Sequence, residues 1–520
     1  MKKKLYINTI ISILSQLVTI IIGLILPRLM LITYGSDVNG LVSSITQMLG
    51  FITLLDLGIG AVVQASLYKP LSQKNNKQIS LIFSSAQKYF QIIAKILLVY
   101  ILGLCLYYVI FKSNNFSWIY TVTLIISISI SSFAQYYFGI CNTLLLNADQ
   151  KIYVSMVINI VTLILSAIIS IILMDSGASI QIVKLISSII FIIRPLFLKC
   201  YVQKNYKIEH IKNPPKNILK NKWSGLAQHI STVLTGSLDY VVLTIFSSFS
   251  SISIYNIYVL PLNSIRGLME SLSGGYKSFL GKLIAETETI KLQYEFDRYE
   301  TFIHFSIVVI FSCISVVLVP FVLVYTSGVD DVNYQNFLFS YLITLAYAIY
   351  AMRIPYTTII FSAGHFRETQ IHCIIEVVLN LIISIGLVFY FDLIGVAIGT
   401  CISVGYRLLS SVVYLQNNIL NRKIFVFIKH LIIDIICIIL ILLLIQPINF
   451  GSVSLISWII YASKVFFICL LISFIIHVFF ILIYLKLSFC IRKVAKVNEN
   501  SSCRYRICRF KYCYIIITTS

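Results

Sequence analysis

Apolar runs of about twenty residues or more recur along this chain, and they dictate its solvent. They cover approximately 5–33, 38–68, 84–111, 117–146, 152–174, 180–200, 223–247, 253–281, 301–325, 335–363, 369–390, 394–416, 424–445 and 457–486. A helix needs about 20 such residues to cross hydrocarbon. The pattern therefore predicts an all-α polytopic membrane protein with about 14 transmembrane helices. Composition agrees: 59% of the residues are hydrophobic and 11% are charged, where a soluble chain carries about a quarter charged. A water-soluble enzyme and a disordered chain are both excluded. Lys2, Lys3 and Lys4 precede the first run as they do in a signal peptide. That run extends to about Tyr34 without a small-residue cleavage site, so it reads as a retained helix.

The formal net charge of +21 suggests nucleic acid in a soluble protein. In a membrane protein the position of the charges matters first, because Lys and Arg accumulate in cytoplasmic loops. With the N-terminus placed in the cytoplasm, the inner segments hold 29 of the 40 Lys and Arg, and the outer loops hold only Lys112. A missed or invented helix would move every later loop to the wrong side. Both termini are thus expected to be cytoplasmic, and most of the case for nucleic acid disappears.

The loops exclude further classes. Outer loops are short, and none holds a catalytic domain. The Lys-rich stretch 199–222, with Pro214-Pro215, reads as a linker that also suits anionic lipid. No P-loop is present, the seven histidines look scattered without metal spacing, and no cofactor is expected. The cysteines form no disulfide framework in the outer loops. Cys503, Cys508 and Cys513 in the basic tail lack the spacing of a common zinc site.

A weak internal repeat lies beneath the helices. At a shift of about 215 residues, Asp56 falls next to Glu270, and Leu146-Asn147-Ala148-Asp149-Gln150 falls on Phe361-Ser362-Ala363-Gly364-His365. The face Ser155, Asn159, Thr162, Ser166 falls on His372, Glu376, Asn380, Ser384. The shift spans six helices, so equivalent helices cross in the same direction, as in a parallel repeat about an axis along the membrane normal. The expected organisation is an N-lobe (1–203, six helices), a linker (204–222), a C-lobe (223–417, six helices), two further helices (418–486) and a basic tail (487–520). A substrate cavity is expected where two such lobes face each other.

Charges within the spans mark candidate sites, because a charge at the bilayer centre costs about 3 kcal/mol on insertion scales. Lys88, Lys184, Arg194, Arg407 and Lys464 lie near helix ends or within snorkelling reach, and read as anchors. Arg28 follows Pro27, Arg266 follows Pro261 by five residues, and Arg353 precedes Pro355. Such prolines free carbonyls that need polar surroundings. Converged, these three arginines form a cationic substrate site; Arg266 and Glu270 are also spaced i, i+4 for simple local pairing. Asp56, Asp239 and Glu270 are candidate ion-coupling acids. Gln64, Gln228, Asn263, Glu376 and Asn380 extend polar stripes expected to line a wet cavity, although small polar residues in such stripes also serve helix packing.

The segment Leu26-Pro27-Arg28-Leu29 through Tyr34-Gly35-Ser36-Asp37-Val38-Asn39-Gly40-Leu41, followed by Leu55-Asp56-Leu57-Gly58-Ile59-Gly60, resembles the first two helices of bacterial Wzx-type polysaccharide flippases of the MATE-like MOP superfamily. Asp239-Tyr240-Val241-Val242-Leu243-Thr244 with Tyr255-Asn256-Ile257-Tyr258 resembles their helix 7–8 junction. The resemblance covers about residues 5–485. It implies a transporter, not an enzyme, in a bacterial cytoplasmic membrane. The implied substrate is an undecaprenyl-diphosphate-linked oligosaccharide carried from inner to outer leaflet, with Arg28, Arg266 and Arg353 receiving the diphosphate. Coupling to H⁺ or Na⁺ and partnership with a polysaccharide polymerase and glycosyltransferases belong to the same expectation. Two other classes stay open: a MATE-like multidrug or cation antiporter, which needs a net acidic cavity, and a membrane-bound polysaccharide polymerase, which needs a large Arg- or His-rich outer loop.

Overall fold

The computed structural model describes residues 2–56, 59–112, 116–209, 211, 226–286, 289–445 and 451–499. Most of the linker 204–222, the side chain of Gln228 and the tail cysteines Cys503, Cys508 and Cys513 lie outside the described residues. Within them the chain is helical and has no strand. The helices are α1 (Lys2–Gly50), α2 (Ile59–Ser72), α3 (Asn76–Phe111), α4 (Trp118–Ala134), α5 (Ile140–Ala148), α6 (Ile152–Asp175), α7 (Ile180–Asn205), α8 (Leu226–Phe246), α9 (Phe249–Ala285), α10 (Thr289–Tyr325), α11 (Phe337–Ser362), α12 (Gln370–Phe391), α13 (Leu393–Leu415), α14 (Phe425–Ile445) and α15 (Leu455–Glu499).

Gly35, at φ 81° and ψ 175°, breaks α1 into two limbs. The second limb, the 3-10 turn Phe51–Asp56 and α2 share one apolar run, and a π-turn, Gln135–Gly139, joins α4 to α5 as one crossing. Among the described residues this gives 14 helical segments, one for each apolar run, in an all-helical polytopic membrane protein. By length and composition, 11 helices suffice to cross a membrane. α8 and α9 fall short of that measure. α9 carries Arg266, Glu270, Lys277 and Lys282, and α8 has only a shorter apolar stretch, Val233–Phe246.

Side chains sort as they must when lipid is the solvent. On α3, Phe90, Leu97, Leu104 and Tyr108 recur at helical spacing and are buried. Leu97 is 0% exposed, whereas Val99 is 70% exposed, with Leu102, Leu106 and Ile110 on the same outer face. The outer face is as apolar as the inner one, so helix contact is decided by close packing and polar links.

The chain packs as two units. The first comprises Met1–Ser264, Gly328–Tyr334 and Cys373–Gly399; the second comprises Ile265–Ser327, Gln335–His372 and Thr400–Ser520. These units follow packing, whereas the expected lobes follow sequence order.

In the first unit the Gly35 break is held from a distant loop. The Ser36 backbone N–H donates to Asp331 Oδ2 at 2.7 Å, and the Ser36 hydroxyl donates to Oδ1 at 2.6 Å. Asp331 thus serves as an N-cap supplied by another segment. Five residues on, a Cβ at Gly40 would lie 1.8 Å from the carbonyl oxygen of Phe249. The glycine lets α1 meet the start of α9 backbone to backbone. Asn39 then donates to Ser253 Oγ at 2.8 Å across that contact. In the second unit, Val309, Cys313 and Val317 of α10 pack against Ile433, Cys437 and Ile441 of α14 and Val465 and Cys469 of α15. The i, i+4 spacing of these residues makes each helix contribute one stripe.

Candidate functional site

Two guanidinium groups meet on one ring in the second unit. Tyr350 lies on α11, and its ring centroid is 4.2 Å from Arg266 Cζ of α9 and 4.5 Å from Arg353 Cζ, one turn along α11. Arg266 Nε donates to Glu270 Oε1 at 3.0 Å, and the Tyr350 hydroxyl donates to the same oxygen at 2.6 Å. The i, i+4 spacing puts Arg266 and Glu270 on one face of α9, and the aromatic ring attracts the cations through its negative face. Two arginines with one carboxylate leave a net cationic group. Prolines sit in both helices, Pro261 in α9 and Pro355 in α11. Arg28 is in the first unit, on α1 directly after Pro27; it is half-buried and forms no hydrogen bond or ion pair with a described residue.

The first unit holds a buried carboxylate network. Asp239 of α8 is 4% exposed. Its Oδ2 accepts a hydrogen bond from the Tyr255 hydroxyl at 2.6 Å, and its Oδ1 accepts from Asn380 Nδ2 of α12 at 3.4 Å. Glu376, one turn before Asn380, is equally buried. The Tyr240 hydroxyl donates to Asn256 Oδ1 at 2.9 Å, and the Tyr240 and Tyr255 rings meet edge to face. Carboxylate, amide and hydroxyl oxygens are the donors that a small hard cation takes. Among the described residues no cluster of three or more His, Cys, Asp or Glu suits a metal ion.

A cavity of about 680 Å³ opens within the first unit, lined by α1, the 51–56 turn, α4, the π-turn, α5, α6 and α7. Asp56, Gln135, Asn147, Ser155, Asn159 and Arg194 give it polar walls. The two departures from α-helix at this wall, a 3-10 turn ending at Asp56 and a π-turn beginning at Gln135, are irregular backbone lining a cavity. Arg194 Nε donates to Thr162 Oγ1 at 2.5 Å, and the guanidinium lies 4.2 Å from the Phe191 ring centroid. Asp56 and Asn159 are thus brought into one space.

Other expected residues are placed differently. Gln64 donates to the Tyr68 hydroxyl at 3.1 Å on its own helix. Asn263 is exposed. Two arginines expected to anchor at helix ends do not: Arg194 lines the cavity, and Arg407 is 2% exposed and donates to the Thr369 carbonyl at 3.2 Å. Snorkelling needs a free path to the interface, and here hydroxyl and carbonyl partners within the protein hold both heads.

No family model matches the chain, and no curated protein matches it. Solved structures do match in fold. The lipid II flippase MurJ in an inward closed conformation aligns with a TM-score of 0.66 at 15% identity, over 91% of this chain and 98% of its own. An inward-facing multidrug resistance MATE transporter of the MOP superfamily aligns at 0.57 and 11% identity, over 77% of this chain and 95% of its own. The MATE multidrug transporter DinF-BH aligns at 0.55 and 15% identity, over 81% of this chain and 97% of its own. The chain has the fold that these transporter structures share.

Proposed function

We propose that the chain is a flippase that carries an undecaprenyl-diphosphate-linked oligosaccharide from the inner to the outer leaflet of a bacterial cytoplasmic membrane. The observation that carries the reading is the pair Arg266 and Arg353 on Tyr350, a net cationic group within apolar helices. An arginine fork matches phosphate oxygens bidentately, and two forks on one ring present donors to a diphosphate. Arg28 is the third arginine of this role. The fold supports the same choice: the flippase structure aligns with 91% of this chain, against 77% and 81% for the two MATE structures.

The physical need is clear. An unsatisfied hydroxyl costs about 4–8 kcal/mol to move into hydrocarbon, so a glycan does not cross unaided. Polar walls supply substitute hydrogen bonds while the prenyl chain stays in lipid. Two six-helix repeats provide alternating access. Outward movement of two negative charges through an inside-negative ~100 mV gains about 4.6 kcal/mol. Of the three candidate coupling acids, Asp239 has the surroundings of a cation site, with Tyr255, Asn380 and buried Glu376. Glu270 is committed to Arg266 and Tyr350. Both termini face the cytoplasm in this reading, and glycosyltransferases and a polysaccharide polymerase act before and after it.

A second reading, a MATE-like cation antiporter, is favoured by Asp56 on the wall of the first-unit cavity, although Arg194 stands on the same wall. Deleting the gene in its host separates the two. The flippase reading expects lipid-linked oligosaccharide to accumulate on the inner leaflet. Unchanged glycolipid with new sensitivity to organic cations selects the antiporter.

A further inference from the structure

Two histidines far apart in sequence meet in the second unit. His304 of α10 is 0% exposed, and its Nδ1 lies 2.5 Å from Oδ2 of Asp434 on α14, itself 1% exposed. The His430 ring stacks on His304 with centroids 5.1 Å apart. One turn before His304, the fully buried Glu300 accepts from Arg422 Nη2 at 2.7 Å and from the Tyr356 hydroxyl of α11. Arg422 Nη1 also reaches Asp297 at 2.6 Å, and His430 Nε2 is 3.9 Å from Glu300 Oε2. Lys429 stands next to His430, and His477 of α15 meets Phe305 edge to face beside the cluster.

The charges in this cluster do not balance without a proton. Counting only fully buried groups, Glu300 and Asp434 are two carboxylates and Arg422 is one cation; Asp297, with 46% of its side chain exposed, and the half-buried Lys429 are outside that count. One negative charge is left over inside packed apolar helices, an unfavourable state that buried groups relieve by taking up a proton. The orphaned atoms indicate where. His304 Nε2, the acceptors Glu300 Oε2 and Asp434 Oδ1, and Arg422 Nε are all buried with no hydrogen-bond partner among the described residues. Protonation turns His304 Nε2 into a donor, one helical turn from Glu300. His304 is the natural base of the pair, since imidazole is more basic than a carboxylate.

We propose that this cluster is a proton-binding site, in which His304 takes one exchangeable proton from water and sits as an imidazolium between Asp434 and Glu300. The reaction forms one N–H bond at the ring and leaves hydroxide to solvent. His430, stacked on His304 and less buried, is the base through which the proton exchanges. The proposal stands on this geometry alone and does not depend on what the protein carries.

The test uses the full-length protein labelled with ¹⁵N-histidine in lipid nanodiscs. Long-range ¹H–¹⁵N spectra at pH 8, where a solvated histidine is neutral, report the proton count of each ring. One of the seven rings is expected to carry protons on both nitrogens, to vanish in H304Q, to become neutral in D434N, and to persist in H365Q. If H304Q does not fold, single variants of the other six assign the signal by exclusion. Seven neutral rings at pH 8, or an imidazolium that survives H304Q, overturns the proposal. Transfer to D₂O is expected to remove the ring N–H signals by exchange, and signals that persist there overturn the exchange with solvent.

Discussion

The Tyr350 hydroxyl donates to Glu270 Oε1 at 2.6 Å, so the ring that carries two guanidinium groups is itself pinned to α9. Arg266 is bonded to the same oxygen. The cationic group is therefore assembled before any substrate arrives, and little side-chain freedom remains to be lost on binding.

That arrangement sets the first prediction. Arg266→Ala and Arg353→Ala each remove one fork from the half-buried Tyr350 ring and each lower affinity for undecaprenyl diphosphate about tenfold, the scale of a ~1.4 kcal/mol charge-assisted contact. Tyr350→Phe keeps the ring and loses only the hydroxyl link, so its effect is smaller. Titration of nanodisc-embedded protein with the lipid, read by native mass spectrometry, checks all three. Affinity equal to wild type in the two alanine variants removes the diphosphate role.

Glu270→Gln discriminates between pairing and coupling. Glutamine keeps an acceptor for Tyr350 and Arg266 but removes the competing negative charge. Diphosphate affinity then rises, by about two- to tenfold at an effective interaction of 0.5–1.4 kcal/mol. If Glu270 carries the coupling ion instead, affinity stays as it was and the dependence of transport on a cation gradient disappears.

Asp239→Asn tests the cation site. A cation that binds only the folded protein raises its melting temperature with concentration. The wild type is expected to melt higher in Na⁺, or at lower pH, than in an equimolar large organic cation, and D239N loses that difference. The amide keeps the shape of the acid and one of its two acceptors, for Tyr255 or for Asn380; D239E, which keeps the charge, is expected to retain the cation-dependent difference. A cation-dependent shift of the same size in D239N points the search toward the Asp56 wall.

The fold was legible because lipid imposes one rule on every span. Fourteen apolar runs became fourteen helical segments among the described residues, 11 helices being long and apolar enough to cross a membrane, and the turn at Gly35 between the first two runs marks the break in α1. The site was legible only in its charges. Arg266 and Arg353 stand out in apolar helices, whereas Tyr350, which gathers them, looks like any aromatic residue in a span. His304 and Asp434 lie 130 residues apart, and no spacing rule joins them; the contact of α10 with α14 does. Arg194 and Arg407 looked like anchors because sequence gives depth only, without the hydroxyl or carbonyl that holds each head.

Gly40 carries a prediction about stability. Its missing side chain lets the Phe249 carbonyl approach to a distance that no Cβ tolerates. Gly40→Ala forces α1 and α9 apart and costs about 1–3 kcal/mol or more, as overpacking does. Gly35→Ala strains a backbone conformation essentially restricted to glycine, φ 81° and ψ 175°, by about 1–3 kcal/mol. Fluorescence-detected size exclusion after heating is expected to rank wild type above G35A and G35A above G40A; an unchanged G40A contradicts the backbone contact.

In the proposed function, arginines on a tyrosine carry a lipid diphosphate across the membrane. That function is tested most directly by reconstituting the full-length protein in proteoliposomes with a fluorescent undecaprenyl-diphosphate-linked oligosaccharide, and reading its appearance on the opposite leaflet with a membrane-impermeant quencher. Wild-type protein is predicted to equilibrate the two leaflets, and the double variant R266A/R353A, inserted at equal density, is predicted to leave the lipid where it was placed. Equal rates for the two proteins, or no movement with either, contradict the account.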